Sequence, residues 1–236
     1  MGIEIVSQYK VNPKDYGYNG NCIVTYIHVK IADIKKRAQI IKNDFLDMSW
    51  INKLDVATKI AYEKRANDTI SKLIKNVLDK VEDTVTEEFG EILVSTSAKD
   101  TLCTHYNHKK IPLAELWKEK NSGNPGFDFH TETPTELIAF GEAKYRNQSN
   151  AYSKAFEQLD DFIKNEKDLK ELSDLRNFVG NKALSNIANL NLKAFIAAFS
   201  IYSKNDKLII NNIMKNQYIE NLLRHSELYI IGVEAC

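Results

Sequence analysis

The sequence predicts an α/β fold in which a mixed central β-sheet is flanked by helices. Residues 193–202, KAFIAAFSIY, form a nearly continuous apolar run, which is typical of a strand covered on both faces. An amphipathic helix separates this run from an earlier strand around Glu142, and such a crossover favours right-handed parallel pairing. Because the Glu142 strand is itself the second strand of a hairpin, the predicted sheet contains both parallel and antiparallel pairs.

The elements follow from periodicity and turn residues. Residues 22–30, CIVTYIHVK, alternate and carry β-branched side chains, which predicts a strand, and a helix from Ile31 to about Asn43 follows. Residues 54–93 place their apolar side chains on one helical stripe, in either one helix or two. The remaining predicted elements are an amphipathic helix over residues 149–165, a helix near 214–224 and the final strand ELYIIGVEA.

Composition limits the class of protein. The 236 residues are 43% hydrophobic and 27% charged, which is typical of a globular chain, here divided into an accessory segment (1–50) packed on a core (51–236). Lys plus Arg and Asp plus Glu number 32 each, so any phosphate binding has to be local. Three cysteines and no apolar run of about 18 residues predict a cytoplasmic chain with neither a disulfide framework nor a membrane helix.

The hairpin within residues 123–147, GNPGFDFHTETPTELIAFGEAKYRN, carries the functional signal. A turn centred on Pro134 places Asp128 opposite Phe140. Since side chains alternate between the faces of a strand, Glu142 and Lys144 then share a face with Asp128, and the two carboxylates are diagonal neighbours. A register slip of one residue would undo this inference.

Two converging carboxylates repel each other, and a bound divalent cation usually compensates their charge. Ligation by oxygen alone suits Mg²⁺, for which Mn²⁺ can substitute. Lys144 on the same face can hold or deprotonate a water for attack on phosphorus and steady the charge that develops there. The pattern therefore predicts hydrolysis of a phosphodiester.

Less specific signals surround this site. The tripeptide pattern is frequent in a charged chain, and Asp33-Ile34-Lys35 also matches it, so the hairpin context discriminates. His130, Arg146 and Gln158 are candidate substrate contacts, with ordinary hairpin and solvated-helix residues as the alternative. The cluster of Cys103, His105 and His108 has irregular spacing for zinc, and surface histidines are the simpler interpretation.

These motifs resemble the PD-(D/E)xK nuclease superfamily. Phe127-Asp128 takes the place of Pro-Asp, and Glu142-Ala143-Lys144 supplies the (D/E)xK element. The ordered motifs TEEFGEILVS, IPLAELW, GFDFH and FGEAKY are also similar to those of the nuclease subunit of the Hachiman antiphage defence system. The resemblance implies a restriction-endonuclease-like core.

The resemblance also implies a function and a partner. It implies a bacterial defence nuclease that cleaves DNA beside a superfamily-two helicase, with a Glu on the helix before the hairpin completing the metal site. Glu91 follows the Gly of the matched motif and ranks ahead of Glu88. The alternatives are a catalytically idle nuclease-like subunit that binds or regulates, and a site-specific restriction endonuclease.

Overall fold

A computed structural model describes residues 2–81, 85–118, 126–147 and 149–235, and it confirms the predicted α/β class with a mixed sheet. The sheet has seven strands in the order β1-β2-β7-β6-β5-β4-β3. The strands are β1 (Ile3–Val11), β2 (Ile23–Ile31), β3 (Lys109–Lys110), β4 (Phe129–Glu132), β5 (Ile138–Lys144), β6 (Ala194–Ser200) and β7 (Glu227–Ala235).

Parallel strands form the centre of the sheet. Strand β6 pairs in parallel with β5 and with β7, and β7 pairs in parallel with β2. The predicted parallel pairing across the crossover is therefore confirmed. The outer pairs are antiparallel: β1 with β2, β4 with β5 and β3 with β4.

Helices flank this sheet and connect its strands. They are α1 (Ile34–Leu46), α2 (Val56–Asn76), α3 (Glu87–His105), α4 (Ala114–Trp117), α5 (Tyr152–Lys164), α6 (Lys167–Lys170), α7 (Leu172–Leu175), α8 (Asn181–Leu190), α9 (Asp206–Met214) and α10 (Ile219–Leu222). No helix within these described ranges is both long and apolar enough to cross a membrane.

The core lies around β5 and β6. Every residue of β6 is buried, as its apolar sequence predicts. Helices α3 and α5 both pack on β5 and β6. Helix α5 buries a stripe that includes Phe156, Leu159 and Phe162, because these residues recur at helical spacing. The end of β5 is therefore held between packed helices.

The N-terminal region differs from the prediction. Strand β1 is unpredicted, and it pairs with β2 to extend the sheet beyond β7. Strand β2 continues to Ile31, so the following helix begins at Ile34 rather than Ile31. Asp33 caps that helix by accepting a hydrogen bond from the Lys36 N–H. Residues 1–50 thus contribute two strands to the sheet of the predicted core.

Candidate active site

The hairpin of β4 and β5 brings Asp128, Glu142 and Lys144 together. Asp128 immediately precedes β4, whereas Glu142 and Lys144 lie at the C-terminal end of β5. The carboxyl ends of the parallel strands β5 and β6 lie at the same edge of the sheet. The candidate site is therefore at the edge where α/β proteins commonly bind their ligands.

The predicted register of the hairpin is wrong by two residues. His130, rather than Asp128, pairs with Phe140. The loop spans residues 134–136, because Thr133 donates its N–H to the Leu137 carbonyl and Glu136 takes a positive φ of 59°. The loop keeps the predicted length of three residues but lies one position later in the chain, which moves the cross-strand partner of each residue by two. A shift of two leaves the faces of the paired residues unchanged, and Asp128, just before the ladder, donates its N–H to the Gly141 carbonyl.

Glu142 is a buried carboxylate with few partners. Its side chain is 0% exposed, and neither carboxylate oxygen accepts a hydrogen bond within the part of the chain that the structure describes. The Lys144 ammonium forms an ion pair with Glu142 Oε1 at 2.6 Å. A buried anion of this kind is costly unless a cation compensates it.

Asp128 is held by the backbone around it. Its Oδ2 accepts a hydrogen bond from the Ala143 N–H at 2.8 Å. Its own N–H donates to the Gly141 carbonyl at 2.9 Å, and its carbonyl accepts from the Ala114 N–H at 3.4 Å. These contacts fix the carboxylate beside the strand that carries Glu142.

Helix α3 supplies a third carboxylate. Glu91 Oε1 lies 3.7 Å from the Lys144 ammonium, whereas Glu88 is exposed on the same helix. A Cβ at Gly90 would lie 2.2 Å from the Tyr145 ring, so glycine allows α3 to approach the end of β5. The structure thus brings Glu91, the preferred candidate, to the site.

Burial and mutual repulsion perturb the acids of this cluster. Burial raises the pKa of Asp128 to about 6, against the opposing effects of the Lys144 charge and the Ala143 N–H. Burial and then the charge of Asp128 hold the pKa of Glu142 well above its usual value. Burial also raises the pKa of Glu91. The pKa of Lys144 is raised because Glu142, Asp128 and Glu91 outweigh its burial.

The chemistry of the three carboxylates suits a hard divalent cation. Asp128, Glu142 and Glu91 offer only oxygen ligands, and both Glu142 oxygens are buried with no hydrogen-bond partner assigned in the described ranges. No group of three His, Cys, Asp or Glu side chains in the described ranges is spaced as a metal site. The Lys144 ammonium instead lies against Glu142, where it compensates the charge that a metal would compensate.

The predicted substrate contacts divide into two groups. Arg146 is exposed and Gln158 is partly exposed, and Arg146 lines a cleft of about 260 Å³ at the start of α5, together with Tyr152 and Lys154. His130 is 0% exposed and its Nε2 contacts Glu171 Oε2 at 2.7 Å. The structure therefore places His130 in the interior, away from a substrate.

The zinc alternative has no support in the described residues. Cys103 and His105 lie in the last turn of α3, and His108 is buried with its Nδ1 2.8 Å from Thr131 Oγ1. Burial lowers the pKa of His108 to about 4. His108 is thus an interior histidine, and the expected surface position of these histidines is wrong for this residue.

Three charged residues near the site are unpredicted. Glu115 lies next to Ala114 at the start of α4, and its buried Oε2 has no hydrogen-bond partner among the described residues. Its charge contributes to the raised pKa of Asp128 and of Glu91. Lys118 and Glu171 form an ion pair next to Phe127. The only sequence signal for them was that Glu115 falls within the IPLAELW motif.

Comparison with known proteins supplies the family. A family model described as HamA matches residues 15–231, a range that contains all of the candidate site. No curated protein matches the sequence. Because the family model covers most of the chain, the protein belongs to the HamA family, the nuclease-like subunit of the Hachiman antiphage defence system.

Proposed function

We propose that this chain is a metal-dependent DNA nuclease, the effector of its defence system, and that it acts beside a superfamily-two helicase. The observation that carries the proposal is the buried Glu142 carboxylate, which interacts with the charges of Asp128 and Lys144 and, apart from the Lys144 ammonium, has no partner among the described residues. A structural ion pair gains little from such an arrangement, because buried pairs stabilise only when their remaining lone pairs are satisfied.

Each residue of the site has a separate role in phosphodiester hydrolysis. Asp128, Glu142 and Glu91 would hold Mg²⁺, for which Mn²⁺ can substitute, and the bound ion would supply Lewis-acid stabilisation of the phosphate oxygens. Lys144, whose raised pKa keeps it protonated, orients the attacking water and stabilises the charge that develops on phosphorus. Arg146 and Lys154 border the neighbouring cleft and contact backbone phosphates.

The balanced charge of the chain supports a model in which the helicase supplies the DNA affinity and this chain supplies the cleavage. Lys plus Arg equal Asp plus Glu at 32 each, so the chain has no overall field that attracts a polyanion. The helicase partner then supplies most of the DNA affinity and presents the strand to the cleft.

A plasmid assay tests the proposal. Supercoiled DNA is incubated with the chain and its helicase partner in Mg²⁺, Mn²⁺ or EDTA, beside Glu142→Gln and Lys144→Met. We expect metal-dependent nicking or linearisation by the wild type and a loss of at least about 100-fold in each variant. Equal cleavage by Glu142→Gln would contradict the assigned site.

A catalytically idle regulatory subunit is the second candidate. It is favoured by the absence, within the described ranges, of three side chains already spaced for a metal. An idle fold predicts no stabilisation by Mn²⁺ that depends on Asp128. Thermal unfolding of wild type and Asp128→Asn with and without Mn²⁺ separates the two candidates.

A further inference from the structure

One ion pair binds both backbone polar groups of Phe127, the residue before Asp128. The Lys118 ammonium donates to the Phe127 carbonyl at 2.8 Å, and the Phe127 N–H donates to Glu171 Oε1 at 3.1 Å. Lys118 and Glu171 contact each other at 2.5 Å. The Phe127 carbonyl and the Asp128 N–H belong to the same planar peptide, so this pair orients the backbone that leads into Asp128.

The ion pair is itself held in the interior. Glu171 uses its second oxygen, Oε2, to contact His130 Nε2 at 2.7 Å, and Glu171 is only 9% exposed. The Lys118 ammonium also lies 5.4 Å from the centroid of the Trp117 ring. Both oxygens of Glu171 are therefore engaged, one by the backbone and Lys118 and the other by His130.

Gly126 leaves the space that this pair occupies. A Cβ at position 126 would lie 2.2 Å from Glu171 Oε1 and 2.9 Å from the Lys118 Nζ. Both atoms are at the ends of flexible side chains, so they can move aside without displacing the backbone. A methyl group at this position would therefore displace the pair from Phe127 without moving the backbone of either strand or helix.

We propose that Lys118 and Glu171 are positioning residues for the Asp128 carboxylate, and that position 126 is glycine so that their ion pair reaches the Phe127 backbone. This inference rests on the proposed function. Strand β5 holds Asp128 from one side, through Gly141 and Ala143, and the ion pair holds the preceding peptide from the other. Losing a group that orients a metal ligand typically weakens metal affinity 10–100-fold.

The first test uses Gly126→Ala, with Mn²⁺ as the probe and isothermal titration calorimetry as the readout. We expect the Mn²⁺ dissociation constant to rise tenfold or more while the thermal unfolding midpoint stays close to that of the wild type. Gly20→Ala is the matched control, because a Cβ there would lie 3.5 Å from the Leu223 carbonyl oxygen, an ordinary contact. Gly20→Ala should bind Mn²⁺ as the wild type does.

The second test replaces Lys118 with a neutral or with another positively charged side chain. Lys118→Met should weaken Mn²⁺ binding as Gly126→Ala does, and Lys118→Arg should restore part of it because Arg keeps the donors and the charge. Arg37→Met is the control, since it breaks a different buried ion pair, 2.6 Å from Arg37 to Asp100. That control should lower stability and leave Mn²⁺ affinity unchanged.

The outcomes separate this inference from the proposed function. Wild-type affinity for Mn²⁺ in both Gly126→Ala and Lys118→Met would overturn the positioning role and leave the metal site intact. A folded wild type that binds no Mn²⁺ would overturn the proposed function, and the positioning role with it. Weakened binding in both variants, with unchanged controls, is the expected result.

Discussion

At the scale of single residues, the site is an electrostatically unfavourable cluster in the metal-free protein. Glu142 is buried next to the Lys144 ammonium and the charge of Asp128, and the pKa values of Glu142, Asp128 and Glu91 are all raised. Sites of this kind lower stability and retain function, because the arrangement that binds a cation is unfavourable without it. Two predictions follow from the individual side chains.

Asp128→Asn should stabilise the metal-free protein near pH 7.5. The folded-state pKa of Asp128, about 6, lies above the usual 3.8, so the contribution of this group to stability is complete below pH 3.8 and is lost as the pH rises through 6. The gain should be about 1–2 kcal/mol, because Asp128 is partly exposed and water screens part of the penalty.

The measurement is chemical unfolding of both proteins in EDTA from pH 4 to pH 8. The difference in unfolding free energy should vanish near pH 4. A destabilised variant at pH 7.5 would show that ionised Asp128 is favourable in the fold.

Lys144→Met should separate metal binding from catalysis. Removing the ammonium removes the group that competes with a metal for Glu142, so Mn²⁺ binding should persist or tighten. Cleavage should fall by at least about 100-fold, because the charge that develops on phosphorus loses its donor. Calorimetry and plasmid cleavage on the same preparation check both parts, and loss of Mn²⁺ binding would make Lys144 a structural residue.

At the scale of elements, helix α3 packs close to the end of β5 because Gly90 has no side chain that would meet the Tyr145 ring. Gly90→Ala gains about 1 kcal/mol in helix propensity, but its Cβ would lie 2.2 Å from the Tyr145 ring. Overpacking of this kind costs about 1–3 kcal/mol and should outweigh the gain. We expect a lower unfolding midpoint and weaker Mn²⁺ binding, since α3 carries Glu91.

Thermal unfolding of Gly90→Ala, alone and with Tyr145→Leu, checks this prediction. In the Tyr145→Leu background the ring is absent, so the alanine should be neutral or stabilising. An alanine that raises the midpoint in the wild-type background would show that α3 does not press against Tyr145.

The hairpin shows what could be predicted for an element and what could not. Alternation correctly predicted that Glu142 and Lys144 share one face of β5, because the side-chain period of a strand is two, and the two side chains form an ion pair. The position of the three-residue loop was wrong by one residue, since Glu136 adopts a left-handed conformation that usually calls for glycine or asparagine. The strand β1 was also unpredicted: it is an edge strand in which Gln8, Tyr9 and Lys10 are exposed in succession, which breaks the alternation.

At the scale of the whole molecule, the crossover order was predictable and the long-range polar contacts were not. The apolar run of β6 and the preceding amphipathic helix were sufficient to predict the parallel centre of the sheet. Lys118 and Glu171 are 53 residues apart, so nothing in local periodicity indicates that they meet beside Phe127. Such pairs depend on how α4, α6 and α7 pack around the hairpin.

The charge of the whole molecule predicts weak DNA binding by the isolated chain. Its formal net charge is zero, so the electrostatic term that gives most non-specific DNA affinity is small. Fluorescence anisotropy with a labelled duplex at about 150 mM salt should show at least tenfold tighter binding when the helicase partner is present. Nanomolar binding by the isolated chain would contradict this division of labour.

The central claim is that Asp128 and Glu142 form one metal centre, and calorimetric titration of the isolated chain with Mn²⁺ tests it most directly. We expect saturable binding by the wild type that weakens as the pH falls below about 6, where Asp128 takes up a proton. Glu142→Gln should abolish that binding in a folded protein. A wild type that binds no Mn²⁺, or a Glu142→Gln variant that binds it equally well, would contradict the claim.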